Sequence, residues 1–388
     1  MTGRGTVLHV TTAATSLQLL LGPQLLAFRD AGWRVETASA PGPEVARLAE
    51  WGIPHHPLRH ATRAMAPTQD VALVEELRRL FRRLRPDVVH THNPKPGVYG
   101  RIAARLARVP VVVNTVHGLF AQPHDPWSRR AGVYTLEAFA GRLSHAELVQ
   151  NVEDVAVLRR LGVPQTRLTL LGNGVDLEHF DPAAVDRAAV DRFRARWGAR
   201  PGCLLACTVG RLVREKGFPE IVHAAEILRR RGVLLDWVIV GGRDPEKANA
   251  LDAGERARAE RAGLRFTGFV DDMPTVYAAC DLFVTASHRE GFPRAAMEAA
   301  AMRLPIVATD IRGCRQVVDR GTTGQLVPVR DAAALARAME SMTTMEPAAR
   351  TAMGAAARSK ACREFDQQEV IATTLAVYER LVGAKRHG

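Results

Sequence analysis

Short apolar runs rich in β-branched residues alternate with helix-like stretches along the first third of the chain, and this alternation constrains the fold most. The predicted strands are residues 7–11, 33–39, 53–58, 87–91 and 111–116. The predicted helices between them are residues 17–31, 44–50, 70–84 and 98–107. Apolar strands separated by helices are typical of a parallel sheet with helices on both faces. The pattern therefore predicts an α/β fold.

The same rhythm begins again after residue 200. Strands are predicted at residues 204–209, 235–240, 264–267 and 282–285, and helices at 218–230 and 245–261. Residues 162–202 are rich in Gly, Pro, Asp and Arg, which is typical of a connection between domains. We therefore expect one domain over residues 1–180 and a second over 181–365. A final segment, 366–388, contains a helix predicted at 367–381 that packs back on the first domain.

Composition limits which binding partners and which cellular compartment are expected. The net charge of +12 favours phosphorylated small molecules, polyanions or an anionic membrane surface as partners. Aromatic residues make up only 5% of the chain and no nucleic-acid-binding module is recognisable, so nucleic acid is not expected. Neither a membrane-spanning run of about 20 apolar residues nor a secretory signal is evident. Five cysteines without paired spacing indicate reduced thiols in the apolar surroundings of a cytoplasmic protein.

Several cofactor motifs are missing from the sequence. The first strand is followed by Thr-Thr-Ala-Ala-Thr-Ser (residues 11–16) instead of Gly-x-Gly-x-x-Gly, which disfavours a dehydrogenase. There is no Walker motif, no Gly-x-Ser-x-Gly and no Asp-x-Asp pair, so neither a cofactor nor metal-dependent phosphoryl chemistry is expected. His90 and His92 face the same side of a predicted strand, which permits a metal but more often indicates a structural hydrogen-bonding histidine.

A basic loop, Gly210-Arg211-Leu212-Val213-Arg214-Glu215-Lys216-Gly217, follows the strand at 204–209 and precedes a predicted helix. Two fixed cations, Arg211 and Lys216, beside the positive end of a helix can clamp a pyrophosphate. The alternative is that both are ordinary solvated loop charges. The glycines on both flanks of the loop favour the clamp.

Two carboxylates bracket the start of the next predicted helix, in Glu290-Gly291-Phe292-Pro293-Arg294-Ala295-Ala296-Met297-Glu298. Glu290 lies in the loop after the strand at 282–285, where it can reach a ligand at the carboxyl edge of the sheet. Glu298, inside the helix, can accept hydrogen bonds from a vicinal diol. Backbone amides around Gly291, Phe292 and Pro293 add donors for phosphate or sugar oxygens. The alternative is a helix-capping acid and a surface glutamate.

In order and spacing, these two motifs resemble those of the retaining family-four glycosyltransferases of the GT-B fold. Supporting matches lie at residues 173–176 (Asn-Gly-Val-Asp), 268–270 (Gly-Phe-Val) and 308–313 (Ala-Thr-Asp-Ile-Arg-Gly). Residues 90–97 and 114–118 look like the branch that acts on lipid-linked bacterial surface polysaccharides. The family's glycine pair after the first strand is replaced here by residues 12–16, where we expect Thr15 or Ser16 to cap the next helix.

The resemblance implies two Rossmann-like domains facing across a cleft, with the acceptor bound by the first and the nucleotide sugar by the second. It also implies roles for individual residues. Arg211 and Lys216 would neutralise the donor diphosphate, Glu298 would hold the ribose, and Glu290 would contact the transferred sugar. His117 would lie over the reacting centre, and the acceptor hydroxyl would attack from the side of the leaving phosphate, which retains the configuration.

The expected function is metal-independent transfer of a hexose or N-acetylhexosamine from a nucleotide-diphosphate sugar, with UDP as the expected nucleotide, to a lipid-linked surface-glycan precursor. The alternatives are glycosylation of a soluble secondary metabolite, sugar-nucleotide epimerisation, and a non-enzymatic membrane or polyanion binder. The last is motivated by the arginines at the end of the helix predicted at 70–84, which are Arg78, Arg79, Arg82, Arg83 and Arg85. The same arginines could instead dock a cytoplasmic enzyme peripherally on the inner face of the plasma membrane.

Overall fold

The computed structural model describes residues 4–62, 66–92, 94–119, 121, 125–197, 199–242 and 250–386. The chain divides into two compact units. The first unit combines Met1–Gly172 with Gln368–Gly388, and the second is Asn173–Gln367. Each unit is built on its own parallel sheet and has its own apolar core.

The first unit has a parallel sheet of seven strands among its described residues. They are β1 (Thr6–Ala13), β2 (Arg34–Ala40), β3 (His55–Pro57), β4 (Val88–His92), β5 (Val111–Val116), β6 (Ala146–Val149) and β7 (Leu168–Leu170). The helices between them are α1 (Gly22–Asp30), α2 (Val45–Glu50), α3 (Pro67–Leu84), α4 (Lys95–Leu106), α5 (Trp127–Gly141) and α6 (Val152–Arg160). The strand order β3-β2-β1-β4-β5-β6-β7 reverses between β1 and β4, which is the switch point of this sheet.

The elements predicted for this unit are present, with small differences at their ends. In α3, Leu73, Leu77 and Phe81 are buried along one face, and Pro67 opens the helix because proline suits the first turn. The helix ends where Arg85 adopts a left-handed conformation with φ of 50°. The segment from α5 to β7 was not predicted, because β6 and β7 have only four and three residues and show no hydrophobic period.

The expectation that Thr15 or Ser16 caps the next helix is wrong, because the N-cap residue of α1 is Leu21. The Thr15 hydroxyl donates to Glu44 Oε1 at 2.6 Å and makes no capping bond. A π-helical turn, Ser16–Leu20, follows, and α1 begins only at Gly22. The hydroxyl therefore ties the segment after β1 to the start of α2.

The second unit has a parallel sheet of six strands among its described residues, in the order β10-β9-β8-β11-β12-β13. The strands are β8 (Leu204–Val209), β9 (Leu235–Val240), β10 (Leu264–Gly268), β11 (Leu282–Thr285), β12 (Ile306–Thr309) and β13 (Gly324–Val327). The helices are α7 (Arg187–Arg196), α8 (Phe218–Arg230), α9 (Ala253–Arg261), α10 (Met273–Ala279), α11 (Arg294–Ala301), α12 (Arg312–Val317), α13 (Ala332–Thr344) and α14 (Pro347–Glu364). The order reverses between β8 and β11.

Four elements of this unit, β8, α8, β9 and β11, begin and end where the sequence predicts. The helix predicted over residues 245–261 differs. Residues 245–249 lie outside the described part of the chain, and α9 begins at Ala253. Asp252 starts it through a capping box with Glu255, a stronger start signal than the preceding polar residues.

The last helix, α15 (Gln367–Arg386), packs on the first unit and confirms the predicted return of the chain. Tyr378 is fully buried, and its ring makes edge contacts with Phe28 and Trp33 at centroid distances of 5.6 and 5.4 Å. Ile371, Val377 and Val382 lie in the same apolar cluster as these rings. The end of the chain is therefore part of the first core.

The units divide after Gly172 rather than after residue 180. Val175 and Phe180 are buried with Phe365 in the core of the second unit. The Val175 amide donates to the Phe365 carbonyl at 2.9 Å. The Gly- and Pro-rich composition indicates a connection here. It does not specify which of the two units the apolar residues of the connection pack against.

All five cysteines are free thiols. Cys203, Cys207, Cys280 and Cys314 are buried, whereas Cys362 on α14 is exposed, so the expectation of apolar surroundings is wrong for this residue. Burial raises the pKa of the Cys280 and Cys314 thiols above the ordinary value. These two side chains are therefore protonated at neutral pH and act as small apolar packing groups.

Candidate functional site

The predicted residues of the second unit converge at the carboxyl edge of its sheet, at the switch point between β8 and β11. The basic loop follows β8, and Glu290 and α11 follow β11. A cavity of about 470 Å³ opens between these segments. The sequence-predicted residues that line it are Gly210, Arg211, Lys216, Glu290, Phe292, Pro293 and Glu298. Ligands of open α/β sheets bind in such a crevice.

The basic loop is anchored by its apolar residues. Leu212 and Val213 are buried, the Leu212 amide donates to the Gly242 carbonyl at 3.1 Å, and the Leu212 carbonyl accepts from the Leu251 amide at 2.9 Å. The His288 amide donates to the Glu215 carbonyl at 2.9 Å, which joins this loop to the loop after β11. Arg211 is exposed at the cavity, so a fixed backbone presents a charge to it.

Gly217 ends the basic loop and caps α8, where a left-handed conformation and a close backbone approach together require glycine. Its φ is +74°, and a Cβ atom there would lie 2.0 Å from the Ala286 carbonyl oxygen. The loops after β8 and β11 thus touch through backbone atoms. This close approach brings Lys216 next to the segment that carries Glu290.

Lys216 and Glu290 form an ion pair, with Nζ 2.5 Å from Oε1. The same carboxylate oxygen accepts a hydrogen bond from the Ser287 hydroxyl at 2.8 Å. Ser287 is fully buried, and its carbonyl accepts from the Thr309 hydroxyl at 2.6 Å. Lys216 and Glu290 belong to separate sequence motifs, and neither motif includes Ser287. The structure joins the two motifs into one charged cluster.

Glu298 also lines the cavity, and it is a buried residue of α11. Arg294 Nε donates to its Oε1 and the Tyr277 hydroxyl donates to its Oε2, both at 2.9 Å. Burial raises the pKa of Glu298, although both partners favour the charged carboxylate. Burial also holds the pKa of Tyr277 well above its ordinary value, so the phenol stays a donor. Tyr277 belongs to α10, and no local spacing could have linked it to Glu298.

Gly291, Phe292 and Pro293 lead from Glu290 into α11. Pro293 is the N-cap residue, and its carbonyl accepts from the amides of Ala296 and Met297, both at 3.1 Å. A Cβ atom on Gly313 would lie 2.7 Å from the Glu290 carbonyl oxygen, so α12 supports this loop at van der Waals contact. The positive end of the α11 dipole therefore faces the cavity near Lys216.

His117 belongs to the first unit, where it follows β5. Its Nε2 lies 3.0 Å from Nδ1 of His92. Desolvation of the ring lowers the pKa of His117 to about 4, although a hydrogen bond with Gln150 opposes the shift. The imidazole is therefore neutral at neutral pH, when it can donate at one nitrogen and accept at the other.

Two family models match the chain. Residues 24–174 match the glycosyl transferase 4-like domain, and residues 204–344 match the glycosyl transferases group 1. The chain is 31% identical over 265 residues to the UDP-Gal:alpha-D-GlcNAc-diphosphoundecaprenol alpha-1,3-galactosyltransferase of Escherichia coli, with 68% of each protein covered. It is 32% identical over 310 residues to a glycogen synthase of Mycobacterium tuberculosis, which covers 78% of this chain and 70% of that protein.

Among solved structures, Anabaena HepE in complex with UDP-glucose superimposes with a TM-score of 0.79 at 20% identity, over 96% of this chain and 100% of that chain. At this identity the likeness concerns the fold. The family model that matches residues 204–344 concerns the sequence, and its match includes both motifs of the cavity.

The contact at Gly217 predicts a large loss of stability for Gly217→Ala. We expect a loss of about 3 kcal/mol or more, from a left-handed alanine and a clash with backbone that cannot move aside. Gly232→Ala is the matched control, since Gly232 has φ of +71° and no atom within 4 Å of a Cβ. It should lose only about 1 kcal/mol. Urea unfolding of both variants measures the difference, and equal losses would contradict the close approach.

Proposed function

Because the chain belongs to the group 1 glycosyltransferases and has their GT-B fold, we propose that it transfers a hexose or N-acetylhexosamine from a UDP sugar to an acceptor hydroxyl with retention of configuration. The observation that carries this proposal is the joining of Lys216, Glu290 and the α11 N-terminus around one cavity, with Arg211 and Glu298 on its walls. Transfer of a sugar from a nucleotide sugar is the activity of the family. Membership therefore favours transfer over epimerisation.

In the proposed donor complex, the diphosphate lies against Arg211, Lys216 and the first amides of α11. An ammonium has three N–H donors, and the ion pair with Glu290 uses one of them. Glu298, held by Arg294 and Tyr277, accepts from the ribose hydroxyls. The cavity of about 470 Å³ lies within the size range of small-ligand sites. The UDP-Gal of the E. coli relative and the UDP-glucose of the HepE complex support UDP as the nucleotide.

The proposed chemistry is charge stabilisation at the leaving group. When the bond from the sugar to the diphosphate breaks, negative charge grows on the phosphate oxygen, where Lys216, Arg211 and the α11 amides stabilise it. These fixed cations supply the positive charge that a metal ion could otherwise supply. We therefore propose that the reaction requires no metal ion. The acceptor hydroxyl attacks the same face and passes its proton to the departing phosphate oxygen. Glu290 is bound to Lys216 and Ser287, which favours a positioning contact with the sugar over nucleophilic attack.

We propose a lipid-linked glycan precursor as the acceptor and the cytoplasmic face of the membrane as the site of action. The diphosphoundecaprenol acceptor named for the E. coli relative supports this choice. The end of α3 supplies a basic surface, since Arg82 and Arg83 are exposed there. Glu75 pairs with Arg78 at 2.6 Å and Arg79 at 2.8 Å, and these hydrogen bonds lower its pKa to about 2. One carboxylate is therefore shared by two of the arginines.

Docking would be peripheral. Within the part of the chain that the structure describes, no helix combines the length and hydropathy needed to cross a bilayer. Each arginine near an anionic surface adds about 1 kcal/mol to binding.

Lys216→Ala should lower kcat by about 10²- to 10³-fold, because its charge acts on the departing diphosphate. Arg214→Ala is the matched control, since Arg214 lies on the same loop but pairs with Glu255 at 2.6 Å and does not line the cavity. It should leave turnover close to wild type. Initial rates of UDP release test this pair, with thermal unfolding to verify folding. Near-normal activity of Lys216→Ala would contradict the clamp.

Activity should persist in EDTA, and the new bond should have the anomeric configuration of the donor. Calorimetric titration with UDP sugars and GDP sugars in EDTA identifies the nucleotide, and proton NMR of the early product gives the configuration. Loss of turnover in EDTA that Mg²⁺ restores would contradict the metal-independent reaction. An inverted product would contradict attack on the leaving-group face.

The double variant Arg82→Ala/Arg83→Ala should weaken binding to anionic vesicles by about tenfold or more. Arg159→Ala/Arg160→Ala is the control, since these two exposed arginines end α6 in the same unit. Cosedimentation with phosphatidylglycerol and phosphatidylcholine vesicles at low and high salt measures both. Equal binding of the two double variants would exclude the end of α3 as the docking surface.

A further inference from the structure

A line of histidines crosses the core of the first unit. His9 lies on β1 and pairs in register with His90 on β4, and His92 lies two residues further along the same face. The exposed fractions of His9, His90 and His92 are 0%, 1% and 3%. His117 follows β5 beside them, and its ring stacks on that of His92 at a centroid distance of 5.2 Å. Three imidazoles thus lie on strands, where a parallel α/β sheet normally has aliphatic side chains, and a fourth directly follows a strand.

These rings are joined end to end by hydrogen bonds. His117 Nε2 lies 3.0 Å from His92 Nδ1, and His92 Nε2 lies 3.2 Å from His9 Nδ1. The Tyr378 hydroxyl, from α15, lies 3.5 Å from His9 Nε2 and also bonds to His90 Nδ1. His90 Nε2 lies 2.7 Å from the Thr115 hydroxyl. The resulting histidine network runs in the order Thr115, His90, Tyr378, His9, His92 and His117.

Every ring of the network is neutral. Burial lowers the pKa of His9 to about 3 and those of His90 and His92 well below the ordinary value. Burial also raises the pKa of Tyr378 well above its ordinary value, so the phenol keeps its proton. A neutral imidazole has one N–H and one lone pair. In a single line, each ring must therefore donate to one neighbour and accept from the other, and one ring cannot change tautomer unless the others follow.

This coupling of the rings affects the tautomer of His117. If its Nε2 accepts from His92, its Nδ1 carries the proton, and if its Nε2 donates, its Nδ1 is a lone pair. The network thus decides whether this ring offers a donor or an acceptor at Nδ1, the nitrogen that does not bond to His92. We infer that the network holds His117 in one tautomer, and that Tyr378, His9 and His92 are positioning residues for transfer. The effect on transfer rests on the proposed function and on the role in transfer that the family resemblance implies for His117, whereas the tautomer rests on neither.

A metal ion is the competing explanation, because nitrogen atoms of His9, His90 and His92 lie within 4.8 Å of one another. The ring geometry opposes it. His90 and His92 stack at a centroid distance of 4.4 Å and 26°, so their nitrogens lie side by side rather than converging. Both nitrogens of each of these two rings already have hydrogen-bond partners.

Tyr378→Phe tests the inference, because it keeps the ring packing on Phe28 and Trp33 and removes only the hydroxyl that joins the two halves of the network. Tyr99→Phe is the matched control. Its hydroxyl lies in the same unit and donates to Asp70 at 3.1 Å, outside the network. Both variants should fold, which thermal unfolding verifies.

The direct measurement is ¹⁵N NMR of the full-length protein labelled at histidine, with the His117 signals assigned by their loss in His117→Gln. We expect one tautomer of His117 in the wild type and in Tyr99→Phe, and an averaged mixture in Tyr378→Phe. We also expect Tyr378→Phe to lower kcat by at least about tenfold while the Kd for the UDP sugar is unchanged. Tyr99→Phe should alter neither value.

Three results would overturn the inference: a tautomer mixture in the wild type, an unchanged tautomer in Tyr378→Phe, or a stoichiometric metal bound by the purified protein. The NMR measurement needs no substrate, so it separates this inference from the proposed function. A fixed tautomer that Tyr378→Phe releases, in a protein that turns over no sugar nucleotide, would support the network and contradict the proposed function. An active enzyme in which Tyr378→Phe leaves the His117 tautomer unchanged would support the proposed function and contradict the network.

Discussion

A parallel strand buried on both faces can present chemistry to a ligand only where it ends, and the rest of the structure depends on this constraint. In the second unit the strand order reverses between β8 and β11, so the loops after these strands diverge and leave a crevice. Gly217 lets the two loops touch through backbone, which brings Lys216 to Glu290. The charged cluster is therefore a product of strand order and of one glycine.

Partners within the protein already fix the charged groups of this cluster. Lys216 and Glu290 form an ion pair, and Ser287 holds the carboxylate in place. In the proposed donor complex, the diphosphate shares the remaining ammonium protons without displacing the pair. Glu298 is held in the same way by Arg294 and Tyr277. Partners that fix a group before the ligand arrives reduce the reorganisation that binding and catalysis require.

In the first unit, a group of polar side chains lies inside the sheet rather than at its edge. These side chains must therefore hydrogen-bond to one another, and the imidazoles of the histidine network are joined through Tyr378. Tyr378 comes from α15, and its ring packs against Phe28 of α1 and against Trp33, which directly precedes β2. The C-terminal helix thus contributes both to the apolar core and, through Tyr378, to the histidine network that ends at His117.

The sequence by itself determined the two α/β units, the bounds of β8, α8, β9 and β11, and the two motifs around Lys216 and Glu290, because strand periods, helix starts and loop motifs depend on neighbouring residues. Only the tertiary structure decided which of these residues meet. Lys216 and Glu290 are 74 residues apart, and His90 and Tyr378 are 288 apart, so no local pattern relates them. The short strands β6 and β7 and the side on which Val175 packs were missed for the same reason. Their positions are set by burial against distant segments, and burial is a property of the folded chain.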